Sequence, residues 1–144
     1  MKAFTTMNTV CVAIVLLVAG TAFTDERPGK NPPSLIERLE RSLKGEDKPF
    51  ALVIQIYIRP DSDAKFEAAA AKAAKASAAD EGCLAYEFHR DLEKPGHYVL
   101  IERWTGLAAL RKHLEKGHTK QIQAIFGKLG TGPRTVEIFA PIGG

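Results

Sequence analysis

Cysteine is scarce in this chain of 144 residues: Cys11 and Cys83 are the only two. Cys11 lies in an N-terminal segment expected to be cut away, so the mature protein keeps one thiol and no internal disulfide. Nothing beside Cys83 marks it as a low-pKa nucleophile, and it reads as a small apolar strand residue. A basic run is also missing. Twenty Lys and Arg are scattered among seventeen Asp and Glu, for a net charge of +3, so nucleic acid is not an expected partner. Tryptophan occurs once, at Trp104, and asparagine is absent after Asn31. An apolar fraction of 45% and a charged fraction of 26% exclude wholesale disorder.

The longest apolar run, Val10 to Ala19, falls short of the roughly 20 residues of a membrane span. Lys2 precedes it and Gly20, Thr21 and Ala22 follow, the layout of a secretory signal peptide spanning 1–22. The expected mature protein is exported, periplasmic or extracellular, and keeps no stable membrane anchor after cleavage. Residues 23–49 read as a linker, with Pro28, Pro32 and Pro33 opposing regular structure. Within it, Ser34 and Glu37 fit a capping box, and Leu35, Ile36, Leu39 and Leu43 share a helical face. Two readings of this short helix stand: docking on the domain or a partner, and a partly ordered spacer.

The domain is expected over 50–140. Phe50 to Ile58 is an apolar, β-branched strand that stops at Pro60. A helix from Asp63 to about Ala79 follows, capped by Asp61 or Ser62, with Phe66, Ala69, Ala70, Ala73, Ala74 and Ser77 facing inward. Cys83 to Arg90 alternates as a strand, with Leu84, Tyr86 and Phe88 on one side. Glu93 to Gly96 makes a hairpin into His97 to Trp104. A helix begins near Gly106, kinks or resumes at Gly117, and ends at Gly130. Thr135 to Phe139 is the last strand. The order β-α-β-β-α-β is that of an α+β, ferredoxin-like antiparallel sheet with helices on one face. Both strand faces are largely apolar, so the uncovered face predicts face-to-face pairing of two sheets in a homodimer, closing a barrel around a cleft.

Gly82-Cys83-Leu84-Ala85-Tyr86-Glu87, then Val99-Leu100-Ile101-Glu102-Arg103-Trp104, then Leu110-Arg111-Lys112-His113-Leu114 resembles the antibiotic biosynthesis monooxygenase domain. The resemblance implies a dimeric α+β barrel. It also implies oxidation of a small electron-rich aromatic such as a quinol by O₂, with no bound cofactor. Such chemistry needs a base near neutral pH, a dry aromatic pocket and donors for a developing anion. His113 suits the base. Trp104, Tyr57, Tyr86, Phe88 and Tyr98 suit the pocket wall, with Trp104 also a donor. Glu102 is placed to orient a His or to pair with Arg103 or Arg90. His89, His97 and His118 read as surface residues. His113 and His118 are five apart, which does not put both on one helical face, so no metal is expected there.

A sister branch of the family degrades heme. That reading would make His113 the axial ligand and Trp104 the residue that distorts the ring. It also uses an Asn on the first strand, where this chain has Gln55 and Tyr57. The remaining alternative is a non-catalytic dimeric module that binds a small molecule or heme.

Overall fold

The computed structural model describes residues 32–142. The segment expected to be a signal peptide, residues 1–22, lies outside them. Element order is α1 (Leu35–Leu43), β1 (Phe50–Tyr57), α2 (Asp63–Ser77), β2 (Cys83–Arg90), β3 (His97–Trp104), α3 (Leu107–Leu114), α4 (Gly117–Leu129) and β4 (Thr135–Phe139). The four strands form one sheet in the order β2-β3-β1-β4, every neighbouring pair antiparallel. This is the ferredoxin-like α+β fold that the element order predicts. Among the described residues no helix is long and apolar enough to cross a membrane.

Period-two alternation splits the strands cleanly. Phe50, Leu52, Ile54 and Ile56 of β1 and Tyr98, Leu100, Glu102 and Trp104 of β3 are buried beneath the helices. Ala51, Val53, Gln55, Val99 and Ile101 lie on the other face, half-buried within one chain. On β2 the alternation slips. A bulge at Leu84 pairs Cys83 with Trp104 but Ala85 with Arg103. Leu84 is therefore turned out and exposed rather than sharing the face of Tyr86 and Phe88, because the extra residue in a bulge resets the register.

The alanines of α2 let it approach the sheet closely, with Phe66, Ala70, Ala73 and Ser77 buried. Its start differs from expectation. Pro60–Ser62 forms a single 3₁₀ turn, and Ser62, at the N-cap, makes no side-chain cap; its hydroxyl bonds Asp61 instead. The helix also ends two residues early, in the turn through Asp80. Gly82 is required here: φ is +79°, and a Cβ would sit 2.4 Å from that of Ala109. The third predicted helix is two, α3 and α4, broken at Glu115 and Lys116.

The capping box of α1 forms, with the Glu37 backbone N–H donating to Ser34 Oγ at 3.3 Å and the Ser34 N–H to Glu37 at 2.7 Å. This helix docks on the domain. Leu39 is 0% exposed and Leu43 is buried too, each contributing about 1.5–3 kcal/mol. The Arg38 guanidinium donates to the Val136 carbonyl and Arg111 pairs with Glu40. Asp47, just beyond, accepts from the Ala108 N–H at the start of α3.

Candidate active site

A cavity of about 480 Å³ lies between the covered sheet face and the helices. Ile54, Tyr86, Leu100 and Glu102 form its floor, and Leu110, His113, Thr119, Ile122 and Phe126 its far wall. Ser34, Leu35 and Ile36 at the start of α1 close one side, and Arg134 and Val136 another. The cleft therefore sits within one chain, under the helices, and not against the uncovered sheet face.

Glu102 is the unusual group here. It is only 5% exposed, and among the described residues its single hydrogen-bond partner is the Trp104 indole N–H, which donates to Oε2 at 2.9 Å. Burial raises its pKa to about 7, against smaller opposing effects of the Trp104 bond and the Arg134 charge. The expected pairing of Glu102 with Arg103 or Arg90 does not form. Arg103 projects from the opposite face, and Arg90 pairs with Glu67.

His113 is 2% exposed, and its ring lies 4.7 Å from that of Trp104 and 5.3 Å from that of Tyr86. Asp80 Oδ2 meets its Nδ1 at 2.7 Å. The Thr119 hydroxyl donates to the His113 carbonyl at 2.7 Å and lies 3.2 Å from Nε2. Burial pushes the His113 pKa down, although Asp80 works to raise it, so the ring is neutral at pH 7. Desolvation thus moves the two groups in opposite directions, and Glu102 ends as the stronger base.

The other predicted residues scatter. Trp104 is 0% exposed and sits behind the cavity wall; its N–H is committed to Glu102 and cannot serve a ligand. Tyr86 does line the cavity. Phe88 and Tyr98 line a separate cavity of about 340 Å³ beside α2, with Glu67 and Arg90. There the Tyr98 hydroxyl lies 2.9 Å from both Asp63 and Glu67, its one proton serving either. Tyr57 leaves the site altogether. It alternates with Ile56, so it falls on the uncovered face, 46% exposed and stacked on His97 at 4.6 Å.

Two of the histidines expected at the surface are engaged. His97 bridges Asp91 at 2.7 Å and Gln55 at 2.8 Å. His118 Nε2 lies 2.9 Å from Asp80 Oδ2. Because α3 and α4 are separate helices, their spacing of five is no bar, and His113 and His118 converge. His89 is exposed as expected. Burial, then the Glu102 and Asp80 charges, raise the Cys83 pKa, consistent with an unreactive thiol. Sequence reasoning missed Asp80, Thr119, Arg134 and the start of α1. Asp80 lies between the alanine-rich helix and the strand that follows, in no motif that marks it; the capping box was the available sign for α1.

The sequence model of the family described as antibiotic biosynthesis monooxygenase matches residues 49–125, more than half the chain. The chain belongs to this family. An uncharacterised protein of Synechocystis is 26% identical over 107 residues, spanning 74% of this chain and 70% of its own length. The solved structure of Rv0793 from Mycobacterium tuberculosis is 28% identical, with a TM-score of 0.61, over 66% of this chain and 96% of that one. A Caulobacter crescentus structure provisionally assigned as an antibiotic biosynthesis monooxygenase is 25% identical, with a TM-score of 0.62, over 67% and 92% of the two chains. The helix α1, which walls the cavity here, precedes the matched residues.

Proposed function

We propose that the protein is a cofactor-independent monooxygenase that oxidises a small electron-rich aromatic, such as a quinol, with O₂. The observation that carries this reading is a buried carboxyl group, Glu102, raised to about 7 inside a cavity lined mainly by apolar and aromatic side chains, with His113, Thr119 and Arg134 among its polar groups. A phenol with a pKa of about 10 lies about 3 units above it, so proton transfer costs ~4 kcal/mol, a modest share of a catalysed barrier. Arg134 lines the cavity with its guanidinium 4.6 Å over the Phe126 ring, and among the described residues it has no ion-pair partner. Its charge favours the phenolate that Glu102 creates.

The anion then gives up electrons to O₂. One oxygen atom enters the ring, the other leaves as water, and a hydroquinone becomes a hydroxyquinone; the aromatic supplies all four electrons. Trp104 holds the carboxyl in place as a positioning residue. His113, neutral and fixed by Asp80, supplies polar wall.

Two further parts of the reading concern assembly and location. The half-buried Val53, Val99 and Ile101 of the uncovered face support a homodimer. Export to the periplasm or beyond follows from the N-terminal pattern. Heme suits these residues poorly, because every residue that β1 sends toward the cavity side is apolar.

The test is O₂ uptake across a panel of substituted quinols, comparing wild type with His113→Ala and Trp104→Phe. Turnover with at least one quinol, reduced about 10-fold or more in Trp104→Phe, supports the assignment. Absence of uptake with every quinol, together with tight binding of the same compounds, replaces it with a non-catalytic binding module. A hemin titration that shifts the Soret band and is lost in His113→Ala would restore the heme reading.

A further inference from the structure

The geometry points to a transition-metal site at Asp80, His113 and His118, where the α2–β2 turn, the end of α3 and the first turn of α4 converge. It does not rest on the oxygenase reading.

One ligand atom from each residue lies within 4.8 Å of the other two. Asp80 Oδ2 is shared, at 2.7 Å from His113 Nδ1 and 2.9 Å from His118 Nε2. Ligands at about 2.0–2.2 Å around a tetrahedral ion stand roughly 3.3 Å apart. The two contacts at Asp80 therefore need to open by only about half an ångström, within reach of side-chain rotation. Two imidazoles and one carboxylate suit Zn²⁺, Co²⁺ or Fe²⁺ and not Ca²⁺ or Mg²⁺, which take oxygen ligands.

Two imidazole nitrogens aim at one carboxylate oxygen, Asp80 Oδ2, and this is the second observation. The Thr119 hydroxyl spends its hydrogen on the His113 carbonyl at 2.7 Å and stands 3.2 Å from Nε2 and 3.4 Å from Nδ1, in line with neither ring N–H, so it fixes no tautomer and leaves Nδ1 able to give up its proton to a metal ion. The His118 side chain is 20% exposed, which gives an ion a way in and leaves room for water as a further ligand.

The experiment uses the untagged, metal-stripped protein titrated with Co²⁺ and, separately, Zn²⁺, read by Co²⁺ visible absorption and by calorimetry. One ion per chain, an intense tetrahedral-type Co²⁺ band and displacement by Zn²⁺ are expected. Loss of a ligand weakens binding at least as much as loss of an outer contact, about 10–100-fold. His118→Ala should do so while keeping a wild-type circular dichroism spectrum, and Asp80→Asn should act likewise. His89→Ala, an exposed control, should bind as wild type. No binding at micromolar protein, or binding that survives His118→Ala, overturns the site and leaves a hydrogen-bonded triad only.

Discussion

The two faces of the sheet carry nearly the same parts and use them differently. Each has a histidine held by an aspartate at 2.7 Å, His113 with Asp80 under the helices and His97 with Asp91 on the uncovered side. Each pair has a tyrosine ring nearby, Tyr86 at 5.3 Å and Tyr57 at 4.6 Å. On the covered side these groups border a cavity, and the helices desolvate a carboxyl group beside them. On the other side the pair joins a hairpin turn, where Asp91 also accepts from the Glu93 and Lys94 N–H groups. An aspartate–histidine pair is therefore no site in itself. Burial beside a cavity is what changes the strength of a proton-transfer group.

The contrast breaks most completely at Glu102. Glu102→Gln keeps an acceptor for Trp104 but cannot take a proton, so quinol-dependent O₂ uptake should fall by about 10²–10⁴-fold. In wild type kcat/KM should rise with pH through about 7, as the carboxylate forms, and the residual activity of the variant should lose that dependence. An unchanged profile would remove Glu102 as the base.

Leu39→Ala asks whether α1 belongs to the covered face. A fully buried leucine in a packed core costs about 2–5 kcal/mol on truncation, read as a lower urea midpoint. A loss under about 0.5 kcal/mol would make α1 a dispensable flap.

The same carboxyl predicts a stability effect of opposite sign to its catalytic one. Its folded pKa, about 7, lies above the ordinary 4.5. Below pH 4.5 both states hold the proton, and this group adds no pH dependence to stability. Between 4.5 and 7 the unfolded chain ionises while the folded one does not, so stability falls as pH rises, by about 3 kcal/mol in all, and then levels. Glu102→Gln should remove that decline and be the more stable protein at pH 8. Chemical denaturation at pH 4.5 and 8 measures both slopes.

The smallest expected effect sharpens the comparison. His97→Ala should leave kcat/KM within about 3-fold of wild type, because its ring is on the face away from the cavity, whereas His113→Ala should cost about 10-fold. Equal losses would mean that both faces feed one site.

Much of the fold was legible along the chain. Strand alternation, the hairpin at Pro95 and Gly96, the alanine-rich helix and the capping box at Ser34 are local patterns, and local sterics and hydrogen bonding enforce them. Local pattern failed at Leu84, where a bulge fits the strand to its neighbour's register, and at Ser62, where the 3₁₀ turn displaces the cap. Tyr57 was misplaced even though its parity with Ile56 settles its face. The family, too, could be read from Glu102, Trp104 and His113 in their strand and helix.

The amino-acid sequence by itself determined most of the secondary elements and their order, because each depends on neighbours a few residues apart. Only the tertiary structure decided which groups are chemically changed. Asp80 reaches His113 across 33 residues of chain, and α1 closes a cavity whose far wall lies more than 70 residues away. Desolvation is a property of the space around a side chain, and that space is assembled from segments that no local pattern connects.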